Sequence, residues 1–170
     1  MTQPQTVQGG TRLPLRRRLT ALIAVGVARI LANLPPRRIR AVLTVLRRGA
    51  APASYLQAKD ARDAVLAVSV RCSGRYCLQR SLATTLLCRI RGVWPTWCTG
   101  VRTAPFVAHA WVEVGSEPVS EPQVAGYYRL LIAIPPPRRN TAAELAARDE
   151  AERAARVTRL ARWTAGWRKG

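Results

Sequence analysis

The apolar residues of this chain change their spacing at Gly92. Upstream they recur every three or four positions, the period of a helix with a buried face. Downstream they gather in short β-branched and aromatic runs, the mark of strands. Helices first and strands second exclude an alternating βαβ arrangement and predict an α+β fold.

Four helices are expected upstream. The first lies between Arg12 and Leu34, where Leu19, Leu22, Ile23, Val27, Ile30 and Leu31 recur at helical spacing, and Pro35-Pro36 stops it. The second runs near Arg37 to Arg48, with Ile39, Val42, Leu43 and Leu46 on one side. The third covers about Ser54 to Val70, with Leu56, Ala61, Ala64, Val65 and Val68 as its apolar side. After a loop over 71–76, the fourth spans Cys77 to Ile90 and ends at Gly92. Trp94 to Val101 then reads as extended and Phe106 to Val114 as a well-buried strand. Gly115-Ser116 turns the chain, Pro118-Val119 starts a return strand, and Tyr127 to Ile134 is another. Pro135-Pro136-Pro137 closes this region. Thr141 and Glu144 form a capping box that opens a final helix to about Trp163.

A length of 170 residues suits one domain. The expected organisation is a disordered arm over 1–11, a single domain over 12–134 and a basic helical extension over 135–170. The longest apolar stretch, Leu19 to Leu34, has 16 residues and carries Arg29, too short and too charged to span a bilayer. No small-x-small cleavage site stands out after Arg16-Arg17-Arg18, so a cytoplasmic protein with reduced thiols is expected. Four Cys are too few for a disulfide scaffold.

The net charge is +19, and 26 of the 28 basic residues are Arg. Such a balance predicts attraction to an acidic partner. Arg in place of Lys, beside abundant Ala and Pro, also fits the base composition of a GC-rich genome. The charge alone therefore marks no nucleic-acid site. The stretch 71–134 carries only +4 (7 basic, 3 acidic), and it holds all four Cys and the single His.

That stretch carries the chemistry. Cys77 opens a helix behind a Gly-containing loop, where the helix dipole and free backbone N–H groups favour a thiolate. His109 follows 32 residues later on a buried strand. Glu121 comes 12 residues after the His, on the return strand. Cys, His and acid in one site perform nucleophilic acyl transfer. The His exchanges the thiol proton, the acid fixes the imidazole, and N–H groups at the start of the Cys77 helix receive the oxyanion. Strand parity puts Glu121 on the His109 face only if the hairpin has the three-residue loop Gly115-Ser116-Glu117 or an equivalent bulge. Glu113 shares that face and is the alternative acid.

Residues 71–122 also resemble a known family. The stretch RCSGRYCLQRSLATTLLCRIRG, then PFVAHAWVEV, then EPVSEP is similar to the B2 proteins of lasso-peptide biosynthesis. These are a branch of the transglutaminase-like cysteine peptidases. The resemblance implies a transglutaminase/papain-like core, in which the nucleophile-bearing helix packs on a small antiparallel sheet. It implies a leader peptidase acting on a ribosomally made precursor peptide, without a cofactor. Cys77 carries over as nucleophile, His109 as general base and acid, and Glu121 as orienting acid; Arg80 and Ser81 are expected to be structural. The helices over 1–70 show no β-wing, so a separate B1 leader-binding protein is implied, with an ATP-dependent lasso cyclase as a further partner.

Three rivals remain at this level. Cys72, Cys77, Cys88, Cys98 and His109 supply enough zinc ligands but lack paired spacings. A basic protein binding nucleic acid or anionic membrane fits the charge, but no nucleic-acid motif is present. Transfer of the acyl group to an amine needs the same acyl-enzyme as hydrolysis. The tail, with Trp163, Trp167, Arg162, Arg168 and Lys169, predicts weak contact with a membrane surface.

Overall fold

A computed structural model describes residues 14–74, 76–122 and 126–137. The arm over 1–11 and the helix expected from Thr141 lie outside the described residues. The elements are α1 (Leu15–Leu31), α2 (Pro36–Leu46), β1 (Ala51–Pro52), α3 (Tyr55–Val68), α4 (Val70–Ser73), α5 (Cys77–Ile90), β2 (Val93–Trp94), β3 (Thr96–Thr103), β4 (Phe106–Val114), β5 (Glu117–Pro118) and β6 (Arg129–Ile134). Helices come first and a small antiparallel sheet follows, the expected α+β fold, with the helix that opens on Cys77 packed on the sheet.

The centre of the described region is α5. Nine consecutive residues, Arg80 to Cys88, are buried. Only a helix covered on every side shows this pattern. α1 and α3 pack against it, and so do β2, β3 and β4. The sheet order is β5-β4-β3-β6, with every neighbouring pair antiparallel. β1 and β2 form a separate parallel pair. Two tryptophans tie the layers together. Trp97 Nε1 donates to Ser81 Oγ at 3.1 Å, joining β3 to α5. Trp94 Nε1 donates to the Ile134 carbonyl at 3.1 Å.

α3 starts on a full capping box. The Ser54 side chain accepts from the Gln57 backbone, and the Gln57 side chain accepts from the Ser54 N–H. Such a cap is worth about 1 kcal/mol. Asp60 on α3 pairs with Arg17 of α1 and, at 2.7 Å, with Arg91 beyond α5.

Several expectations are corrected. α1 buries Ala21, Ala24, Ala28 and Leu31, while Leu19, Leu22, Ile23, Val27 and Ile30 face solvent. Small alanines let α1 approach α5 closely, so the larger residues are left outside. In α3 the buried set is Ala58, Ala61, Arg62, Ala64 and Val65, and Leu56 is 76% exposed. The loop expected over 71–76 begins with α4, whose N-cap Ser69 accepts from Cys72 N–H. β4 is buried only in its C-terminal half, because α5 covers that half and Phe106 lies beyond it at 72% exposed. The last strand begins at Arg129, two residues after the expected Tyr127.

Candidate active site

Cys77 is the first residue of α5, and no side chain caps that helix start. The first-turn amides are therefore not consumed by a cap, and they carry the positive end of the dipole. The thiol is half-buried. His109 and the Ala110 backbone N–H, both from β4, act on its sulfur in favour of the thiolate.

His109 sits across from Gly100 of β3. A Cβ at residue 100 would stand 2.6 Å from the Arg129 carbonyl, 3.0 Å from the Trp111 ring and 3.1 Å from Tyr128 Cβ. Glycine is therefore required there by close approach. The space lets three rings gather. His109 stacks on Tyr128 at 4.9 Å and on Trp111 at 6.0 Å, and Trp111 lies 5.8 Å from Tyr128. The imidazole is thus fixed in plane before any substrate arrives.

Glu121 reaches the same imidazole, with Oε2 2.9 Å from His109 Nε2. With Nε2 engaged by the carboxylate, Nδ1 is the ring nitrogen left for the thiol. The route to this contact differs from expectation. The hairpin has a two-residue turn, Gly115-Ser116, both at positive φ, so Glu117 pairs with Val114 and Pro118 with Glu113. Continued regularly, that register would turn residue 121 away from His109. The chain leaves the sheet instead. Val119 N–H still donates to the Val112 carbonyl at 2.9 Å, then Ser120 takes φ 50° and its N–H turns to Tyr55 Oη at 3.3 Å. That kink acts as the alternative bulge and swings Glu121 under the imidazole.

Two guanidinium groups complete the surroundings of Glu121. Arg62 and Arg80 each place an Nη2 near Oε1, at 3.7 and 3.8 Å, and all three side chains are at most 6% exposed. One carboxylate oxygen is thus held by arginines and the other by the histidine. Burial pushes the Arg62 guanidinium down, opposed by the Glu121 charge. Arg80 also donates from Nη1 to the carbonyls of Cys72 and Gly74 at 3.1 and 3.3 Å, fastening the segment that leads into Cys77.

The electrostatics favour an ion pair. Burial alone pushes the Cys77 thiol up, but hydrogen bonds from His109 and Ala110, with the His109 and Arg80 charges, bring it below its ordinary value. Burial pushes His109 down, but Cys77 and Glu121 together raise it to about 9. Below about 9 the imidazole stays protonated, and its charge favours the thiolate of Cys77, a poised nucleophile beside its acid. Two thiols buried elsewhere, Cys88 and Cys98, go the opposite way. Burial pushes Cys88 up to about 12, and burial with the Glu113 carboxylate pushes Cys98 up.

Cys77, His109 and Glu121 are brought together; Glu113 is not. It accepts from Trp111 Nε1 at 3.2 Å and faces Cys98. Among the described residues, no three His, Cys, Asp or Glu side chains gather as a metal site. Arg62, Gly100 and Tyr128 escape a reading of spacing. Arg62 leaves one trace: a charged residue in line with Ala58 and Val65 on the inner side of α3. Tyr128 leaves none, since its ring reaches the site only through sheet pairing.

The family model of the transglutaminase-like superfamily matches residues 21–133. No curated protein and no solved structure matches the chain closely enough to count as a relative.

Proposed function

Because the chain belongs to the transglutaminase-like superfamily, whose chemistry is of the cysteine-peptidase or acyl-transfer type, we propose that it is a cysteine peptidase with Cys77 as nucleophile. The observation that carries this reading is the relay from thiol to imidazole to carboxylate, with Glu121 2.9 Å from His109. In the reaction the Cys77 thiolate attacks the scissile carbonyl, and the carbon–sulfur bond forms as the C=O electrons move onto oxygen. First-turn N–H groups of α5 receive that oxyanion. The His109 imidazolium gives its proton to the leaving amine as the C–N bond breaks. The neutral imidazole then takes a proton from water, which attacks the thioester and releases the acid and the thiolate. Glu121 holds the ring and balances its charge throughout.

The substrate in this reading is the leader–core junction of a ribosomally made lasso-peptide precursor. Support comes from the stretch 71–122, in which Cys77-Leu78, Arg80-Ser81-Leu82 and the strand Ala108 to Glu113 resemble the leader peptidases of that biosynthesis. The peptidase unit spans 12–134, works in the cytoplasm, receives its substrate from a separate B1 leader-binding protein, and hands the core to an ATP-dependent cyclase. No helix among the described residues is long and apolar enough to cross a membrane.

The test uses a precursor gene and a B1-type gene found beside this one, both proteins being purified with it. Release of a free leader acid that disappears in Cys77→Ala and His109→Ala is the expected result. Release that survives either substitution overturns the mechanism. A conjugate formed with added primary amine, in place of the free acid, would assign the site to acyl transfer instead. Turnover of simple thiol-peptidase substrates without any cleavage of the precursor would leave the chemistry and remove the lasso assignment.

A further inference from the structure

α1 is apolar on two opposite sides. The inner side, built on Ala21, Ala24 and Ala28, is buried against α5 and α3. The outer side presents Leu15, Leu19, Leu22, Ile23, Val27 and Ile30 to solvent, with Leu15 82% and Ile30 69% exposed. At 3.6 residues per turn these six fall on the side away from the alanines. Gly26 lies among them, with nothing within 4 Å of the place a Cβ would take. Single exposed leucines need no explanation, but a continuous aliphatic stripe along a 17-residue helix does.

The borders of the stripe are basic. Arg18 and Arg29 run along one border, Arg16 stands at the N-terminal end, and Arg37, Arg38 and Arg40 follow on α2; all six are exposed. From residue 14 to residue 59 the chain contains no Asp or Glu. The stripe itself is purely aliphatic, with no aromatic ring and no hydrogen-bonding side chain. Interfaces between proteins favour Tyr, Trp, Met and Arg at their centres and place hydrogen bonds among them. An aliphatic face edged with arginines suits a fluid apolar medium under anionic headgroups.

We propose that the outer face of α1 lies on an anionic lipid bilayer. Its aliphatic side chains enter the boundary between headgroups and acyl chains, and the flanking arginines reach back to lipid phosphates along their own apolar stems. The helix lies in the surface and does not span it. α5 stands between α1 and the sheet, so the docked face is on the far side of α5 from β4 and His109. A peptide can then reach Cys77 while the protein is held at the membrane.

The test is vesicle flotation of the full chain. Vesicles of equal parts phosphatidylglycerol and phosphatidylcholine are compared with vesicles of phosphatidylcholine alone. Binding to the anionic vesicles is expected, weakening steeply with added salt. The variant L19Q/I23Q/I30Q keeps the net charge and changes only exposed positions; it is expected to bind roughly tenfold weaker or less still. The variant F106Q/L131Q, equally apolar positions on the sheet, is expected to bind like the parent. Leu15→Gln and Ile30→Gln, made singly, are each expected to weaken binding roughly two- to fivefold and guard against misfolding of the triple variant. No binding to anionic vesicles overturns the proposal. So does equal binding by the α1 variants, which would leave charge alone at work. A dimer of the parent that the α1 variants dissolve would assign the face to a second copy instead, and equally overturns it.

Discussion

Glu121 meets His109 from outside the sheet. Its Oε2 lies 2.9 Å from His109 Nε2, although the register of the hairpin would send residue 121 to the other face. The Ser120 kink makes the contact, so the acid is set by a turn and the histidine by a strand. Glu121→Gln keeps the shape and removes the charge. It is expected to lower kcat/KM roughly 10²- to 10⁴-fold.

The ion pair sets the pH dependence. Cys77 lies below its ordinary value and must be a thiolate; His109 is raised to about 9 and must stay protonated. Activity therefore rises with pH as the thiol ionises and falls again as the imidazolium loses its proton near pH 9. In Glu121→Gln the imidazolium loses its carboxylate, so the alkaline limb moves to lower pH. A kcat/KM profile that keeps its alkaline limb near 9 in that variant contradicts the arrangement.

Thiol reactivity gives a test that needs no substrate. At mildly acidic pH, iodoacetamide should label Cys77 well before Cys88 and Cys98, whose thiols are pushed up. Peptide mass spectrometry reads the order directly. His109→Ala should slow the labelling of Cys77 at that pH, because the main partner that stabilises its thiolate is gone.

Arg80 joins the segment before the nucleophile to the acid. Arg80→Met removes its bonds to Cys72 and Gly74 and leaves Glu121 with one guanidinium fewer. A loss on the order of 3 kcal/mol of unfolding free energy is expected from urea denaturation. Arg80→Lys keeps the charge but cannot fork, and is expected to fall between the two.

Gly100 is the spacer of the aromatic group. Gly100→Ala puts a methyl 2.6 Å from the Arg129 carbonyl, against backbone that has to shift. A cost of roughly 1–3 kcal/mol is expected. Because Tyr128 and Trp111 are the next neighbours, the His109 ring loses its stacking as well. Activity should drop at temperatures where circular dichroism still shows a folded chain.

Much of this fold can be read from the chain. The spans of α5 and β4 are marked by Gly92 and by the apolar run from Phe106, and Cys77 and His109 stand out as a helix-start thiol and a lone imidazole. What sequence misleads on is which face is inside. Large aliphatics in α1 look like core, yet the alanines are the core, because the distance between two packed helices decides and periodicity does not encode it. Glu121 is legible as a candidate but its path is not. Nothing local predicts that Ser120 will adopt a left-handed backbone and hand its N–H to Tyr55, a residue 65 positions earlier. Arg62 belongs to the same class, a charge whose partner lies far along the chain.

A helix without a solvent side leaves evolution little room. From Arg80 to Cys88 every substitution is judged by neighbours on all sides, so this rod fixes where the sulfur stands and resists being retuned. Changes in what the protein accepts must then arise at the rim, where Tyr76, Tyr127 and the outer end of β4 are open to water.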